Sequence, residues 1–186
     1  INLYSGCEYK LQDALLLKNR LITLAGSDFI LVEITSGVLG DFVYNQVYDL
    51  ELAGYQVILA HPERSFTPAD LPKLRKLGDM GVYFQITAGS IAGKFGKQIQ
   101  RFAFKLLEEG LCHFIASDAH NPNSRAFFSS EAKSILQKKE LTPQAINLLF
   151  HENASKVLSG EPSIRSFSLK RSQLPSRKLF PRRRLS

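Results

Sequence analysis

The sequence predicts an α/β fold on parallel strands, arranged as an incomplete, distorted (β/α)7–8 barrel, and three observations carry that expectation. Five short apolar runs punctuate residues 1–160, helix-like segments lie between them, and glycines stand where helix gives way to strand. Alternation of this kind argues for parallel strands joined by crossover helices. The five units take about 32 residues each, so a closed barrel of about 250 residues needs two or three more. Those units are expected ahead of Ile1, where the chain opens without Met inside a strand-like run. A doubly wound open sheet is the alternative, but no G-x-G-x-x-G opens a helix and no Walker A motif is present.

The runs are residues 3–9 (LYSGCEY), 29–34 (FILVEI), 56–60 (QVILA), 82–87 (VYFQIT) and 112–117 (CHFIAS). Each has the length and the β-branched or aromatic content of a strand. Between them, Phe42, Val43, Val47, Leu50 and Ala53 recur at helical spacing over 41–53, with Gly54 as a stop. Asp70 stands as N-cap before Leu71, Leu74 and Leu77 in a helix over 70–80. Ile99, Phe102, Ala103, Leu106 and Leu107 give a third helix over 94–109, ended by Gly110. Two more are expected over 127–139 and 142–158, the last with Thr142 as N-cap and Pro143 at the first helical position. The first strand is expected to present an open edge that invites pairing with another chain.

With 44% hydrophobic and 22% charged residues the 186-residue chain has globular composition. That excludes a collagen-like, disulfide-scaffold or wholly disordered protein, and no apolar stretch is long enough to span a bilayer. Cys7 and Cys112 form no metal-type pair and point to a reducing, cytoplasmic setting, and no signal peptide is evident. The net charge of +7 is concentrated in residues 161–186, which hold eight bases and one acid, while the body has equal numbers of each. This tail reads as disordered. Its leucines and phenylalanine among bases suit an anionic membrane surface, with nucleic acid as the rival partner.

Chemistry in a parallel barrel sits on the loops that follow the strands. Glu8 lies near the end of the first run, Glu33 near the end of the second, His61 directly after the third, and Asp118 and His120 directly after the fifth. Carboxylates with imidazoles suit a hydrolytic centre built on Mn²⁺, Zn²⁺, Fe or Mg²⁺. Arg64 and Arg125 belong to the same rim, and their planar forks match phosphate oxygens. Taken singly, each residue also has a structural reading: Glu8 paired with Lys10, Glu33 a buried acid paired with an arginine, His61 a turn histidine, the arginines in surface ion pairs. His113, inside a strand, is read as packing, and His151 is assigned no chemistry. A thiol phosphatase is excluded, because a Cys-x₅-Arg loop needs Arg where Asp13 and Asp118 stand after the two cysteines.

Gly6-Cys7-Glu8, Ala60-His61-Pro62-Glu63-Arg64 and Ala116-Ser117-Asp118-Ala119-His120-Asn121 together resemble the bacterial PHP-domain (polymerase and histidinol phosphatase) protein-tyrosine phosphatases of the CpsB/CapC type. The similarity runs from about Leu3 to about Pro162 and includes Asn153-Ala154 and Leu158-Ser159-Gly160. The resemblance implies a PHP-type barrel with up to three divalent ions, usually Mn²⁺, held in part by Glu8, His61, Asp118 and His120. It implies Arg64 and Arg125 as phosphate holders and Glu33 as a proton-transfer or outer-shell group. The substrate implied is a phosphotyrosine protein, the tyrosine-rich tail of a membrane-bound kinase, in control of capsular or exopolysaccharide synthesis. The family's opening His-x-His strand is absent from these residues. A histidinol-phosphatase-like enzyme and an inactive truncated remnant are the alternatives.

Overall fold

The computed structural model describes residues 2–17, 20–35, 39–123 and 125–168. Among these, strands β1 (Glu8–Lys10), β2 (Phe29–Glu33), β3 (Gln56–Ala60), β4 (Tyr83–Thr87) and β5 (Phe114–Ala116) form one parallel sheet in strict chain order. Its register sets Glu8 beside Leu31, Leu31 beside Ile58, and Gln85 beside Phe114. Helices α1 (Leu11–Leu16), α2 (Asp41–Leu52), α3 (Pro62–Ser65), α4 (Leu71–Asp79), α5 (Ala88–Ile91) and α6 (Lys97–Glu108) lie between the strands. After β5 come α7 (Ser129–Lys138), α8 (Pro143–Asn147) and α9 (Asn153–Ser159), the last two joined by a π-helical turn, Leu148–Glu152.

Side chains alternate across the sheet with period two. Ile30, Val32, Val57, Leu59, Phe84, Ile86 and Ile115 share one core with Val47 and Leu50 of α2, Leu74 and Leu77 of α4, and Leu106 and Leu107 of α6. Phe29, Ile58 and Phe114 point the other way and meet Val157 of α9 in a second, smaller cluster. Beside that inner face lies a recess of about 650 Å³, lined in part by Leu31, Ile58, Gln85, Phe114 and Leu158. A doubly wound sheet reverses its strand order and takes helices on both faces. Here the order never reverses and the long crossover helices α2, α4 and α6 share one face, so the sheet is singly wound.

Local chemistry explains most boundaries. Gly54 (φ +92°) and Gly110 (φ +76°) follow α2 and α6 in left-handed backbone that glycine adopts without a Cβ clash. Thr142 Oγ1 accepts from Ala145 N at 3.2 Å with Pro143 opening α8. Asp70 precedes α4, yet its carboxylate caps nothing there: it accepts from Thr67 N and Thr67 Oγ1 and closes a 3₁₀ turn, Pro68–Asp70. β1 is shorter than the apolar run predicts, because Leu3 is 92% exposed and ladder pairing starts only at Glu8.

The expected disordered segment begins at 161, but residues 161–168 pack against the body. Asn153, fully buried, donates to both His113 O and Arg165 O at 2.7 Å and accepts from Arg165 N. Phe167 N donates to Cys112 O, and Ser168 Oγ to Glu108 O. Residues 169–186, which hold seven of the eight bases of 161–186, lie outside the described residues. Among those described, no helix is long and apolar enough to cross a membrane.

Candidate metal and anion site

The loop after β3 is built on burial. His61 holds φ +33°, ψ +52°, a left-handed conformation that is sparsely populated for a residue with a Cβ and disfavoured again by the proline that follows. Pro62 opens the single turn of α3, which turns Glu63 into the core and leaves Arg64 at the rim. Glu63, 1% exposed, accepts through Oε1 from Thr87 N at 3.0 Å and from Ser90 Oγ at 2.7 Å. Burial raises its pKa, and those two hydrogen bonds pull in the opposite direction. The carboxylate thereby ties the His61–Arg64 turn to the corner between β4 and α5.

The loop after β5 is built on short-range polar bonds. Asp118 is also left-handed (φ +49°), and its Oδ2 accepts from Arg64 Nη1 and, at 2.5 Å, from Arg125 Nη2. Two guanidiniums on one largely buried carboxylate oxygen make a strong charge-assisted pair of bonds. Asn121 Oδ1 accepts from Asn123 N and Arg125 N, and Arg125 O accepts from His120 N. His120 Nδ1 lies 3.0 Å from Asp118 O. A carbonyl only accepts, so Nδ1 is the donor, and the neutral ring in that tautomer has its lone pair on Nε2.

Three expected residues come together. His61 Nε2 lies 3.1 Å from Glu8 Oε1, and one possible ligand atom from each of Glu8, His61 and Asp118 falls within 4.8 Å of the others. Burial lowers the His61 pKa, but the hydrogen bond and negative charge of Glu8 outweigh it and the net shift is upward. Two carboxylates and an imidazole are a donor set for a hard or borderline divalent cation. The residues fit such an ion by that donor set, and beside it His61 Nδ1 and Arg125 Nε are buried without a hydrogen-bond partner.

Other expectations fall differently. Glu8, near the end of the apolar run 3–9, opens β1 and does not follow it. His120 stands beside the three-residue group with its side chain 54% exposed. Glu33 ends β2, half-buried and in register with Lys10, outside that group. His113 accepts from Phe84 N through Nδ1 and stacks on the Phe84 ring, and burial lowers its pKa to about 4. His151 lies by Lys133 Nζ, on the π-helical turn. Burial raises the Cys112 pKa well above the ordinary thiol range, so this thiol is held protonated. Glu63 had been given no role, although it stands inside the AHPER motif between a ligand-type residue and an arginine.

The fold is an α/β protein on a singly wound parallel sheet, with two carboxylates, an imidazole and two arginines gathered at the start of β1 and on the loops after β3 and β5. The family model described as capsular polysaccharide synthesis, CpsB/CapC, matches residues 1–159. The chain belongs to that family. It is 37% identical over 151 residues to tyrosine-protein phosphatase YwqE of Bacillus subtilis, covering 81% of this chain and 59% of that protein. With tyrosine-protein phosphatase CpsB of Streptococcus agalactiae it shares 30% identity over 164 residues, 84% of this chain and 67% of the relative. The fold matches a chain from the crystal structures of YwqE and of Streptococcus pneumoniae CpsB, described as metal-dependent tyrosine phosphatases. The TM-score is 0.77 at 33% identity, covering 92% of this chain and 71% of that one. The chain thus spans 59% of the length of YwqE and 51% of that of CapC of Staphylococcus aureus.

Proposed function

We propose that this chain is the carboxyl-terminal portion, residues 1–160, of a PHP-type metal-dependent phosphoesterase domain that hydrolyses protein phosphotyrosine in capsular or exopolysaccharide synthesis, followed by a basic tail, 161–186. One observation carries the reading: Arg64 and Arg125 converge on Asp118 Oδ2 while Glu8, His61 and Asp118 offer ligand atoms within 4.8 Å of one another. Cation ligands and anion holders therefore share one carboxylate. Single winding, a recess of about 650 Å³ beside the inner face of the sheet and the partial coverage of the relatives support an incomplete (β/α)7–8 barrel.

Glu8, His61 and Asp118, with His120 through Nε2, would hold divalent metal, Mn²⁺ first and up to three ions in the complete domain. Bound there, such ions would neutralise phosphoryl oxygens and make water acidic enough to act as nucleophile near neutral pH. Arg64 and Arg125 present fixed forks to the non-bridging oxygens, where charge must be balanced as the tyrosyl oxygen leaves in line. Asp118 aims both guanidiniums at one place. Glu33 takes the proton-transfer or outer-shell role.

The substrate implied is a phosphotyrosine-bearing tail, such as that of a membrane-bound kinase in the cytoplasm. The basic segment begins after Ser168, whose hydroxyl binds Glu108 O at the end of α6, on the entry side of β5 and opposite the site. Attraction of those bases to an anionic membrane would hold the domain near that surface. The test is Mn²⁺-dependent hydrolysis of a phosphotyrosyl peptide against an amino-alcohol phosphate, measured on this chain and on a full-length protein containing it. Preference for the peptide is expected. Preference for the small substrate favours a histidinol-phosphatase-like enzyme, and no turnover by either protein removes the catalytic reading.

A further inference from the structure

Arg64 is held on three sides. Its Nη1 donates to Asp118 Oδ2, its backbone belongs to the α3 turn tied down by Glu63, and its guanidinium carbon lies 5.2 Å from the centre of the Phe95 ring. That distance is within the range at which a guanidinium is attracted to an aromatic face. The ring closes one side of the space into which the guanidinium could swing. Phe95 sits in the turn after α5, which folds back so that Lys94 N donates to Gly89 O at 2.9 Å.

The seat of that ring is Gly89. A Cβ at this position would stand 2.9 Å from Phe95 Cε2 and 3.1 Å from Phe128 Cδ2, so the Phe95 ring would have to shift and the Phe128 ring to give by a few tenths of an ångström. Gly89 lies in α5 between Ala88 and Ser90, and Ser90 is the residue whose hydroxyl binds Glu63. A closed circuit results: Glu63 holds α5, α5 seats Phe95 through Gly89, and Phe95 braces Arg64, one residue from Glu63. Phe128 shares the seat and carries Lys94 Nζ 4.8 Å above its own ring.

Resting on the phosphoesterase reading for the role of Arg64, we propose that Phe95, seated on Gly89, is a positioning residue that fixes the Arg64 guanidinium for an incoming phosphoryl group. Phe95 touches neither the reacting atoms nor the ligand group; it acts through Arg64. Losing the ring frees Arg64 to tip, so anion affinity falls while the ligand set stays in place.

The direct readout is the Arg64 Nε–Hε resonance of the chain, identified by its loss in Arg64→Lys, recorded for wild type, Phe95→Leu, Phe95→Tyr and Gly89→Ala. Wild type and Phe95→Tyr are expected to show the upfield displacement of a guanidinium over a ring, and Phe95→Leu and Gly89→Ala to lose it. The companion readout is inorganic phosphate titrated into the Mn²⁺-loaded chain, with dissociation constants about fivefold weaker in Phe95→Leu and restored in Phe95→Tyr. Mn²⁺ affinity is expected to be the same in all four. An Arg64 resonance indifferent to Phe95→Leu overturns the proposal, whatever the phosphate result. A wild type that binds no phosphate while its Arg64 resonance still responds to Phe95→Leu removes the phosphoesterase reading and leaves the brace standing.

Discussion

The loops after β3 and β5 each contribute one member of the Glu8–His61–Asp118 group from a residue with positive φ, and each contributes one arginine to Asp118 Oδ2. They are held by different means. The β3 loop is one helical turn whose His61 and Glu63 are 3% and 1% exposed, pinned to α5 by a buried carboxylate. Among the described residues, the β5 loop has no regular structure before α7, leaves His120 largely exposed, and relies on Asn121 bonding its own neighbours. Burial fixes one half of the site as part of the fold, whereas local polar bonds fix the other half almost independently of it. Loss of the buried Glu63 in the first loop therefore acts on stability, and loss of Asn121 in the second acts on the site.

The largest effect should come from the residue the loops share. Asp118→Ala leaves both guanidiniums without their common acceptor and takes a carboxylate from the ligand-type group. Phosphotyrosyl hydrolysis by the full-length protein is expected to fall by at least about 10³-fold. A drop below tenfold would mean that the two loops do not meet functionally at Asp118.

Stability comes next. Glu63→Ala strands a buried amide and a buried hydroxyl and is expected to cost about 3–4 kcal/mol in chemical denaturation. Glu63→Gln keeps an acceptor oxygen and is expected to cost about 1 kcal/mol, consistent with burial raising the pKa of the native acid. Equal costs for the two variants would contradict the pinning role.

β5 also has a second end, remote from the site, where His113 is buried with a pKa of about 4. The unfolded chain binds that proton near pH 6.5, so between pH 6.5 and 4 it holds more protons than the native state and stability falls as pH drops. The loss is about 3 kcal/mol across that window. Urea denaturation of wild type and His113→Asn against pH should show it as the difference in slope, with none above pH 7. The smallest effect belongs to Asn121→Ala: about 1 kcal/mol or less in global stability, together with weaker phosphate binding.

Much of this was legible in the sequence for definite reasons. β2 to β5 stood out because short β-branched and aromatic runs end at polar or glycine residues. α2, α4 and α6 followed from apolar spacing. α3 and α5, at four residues each, are too short to carry any periodicity. β1 was overextended because Leu3 and Tyr4 are apolar yet pair with nothing on the sheet, and Ser5 and Gly6 have weak strand preference. Of the site, His61, Asp118, Arg64 and Arg125 were found from their position after strands. Glu63 was missed because a buried acid inside a one-turn helix has no pattern of its own. The left-handed backbone at His61 was equally hidden, since a residue before proline ordinarily favours extended conformations.

The central claim is that Glu8, His61 and Asp118 form a binding site for a divalent metal ion. Titration of Mn²⁺ into this chain, followed by loss of the free-ion electron paramagnetic resonance signal, tests it without relying on turnover. The account predicts saturable binding by the wild type that is abolished in His61→Ala and retained in His151→Ala. Binding that survives His61→Ala unchanged, or no binding by the wild type, would contradict it.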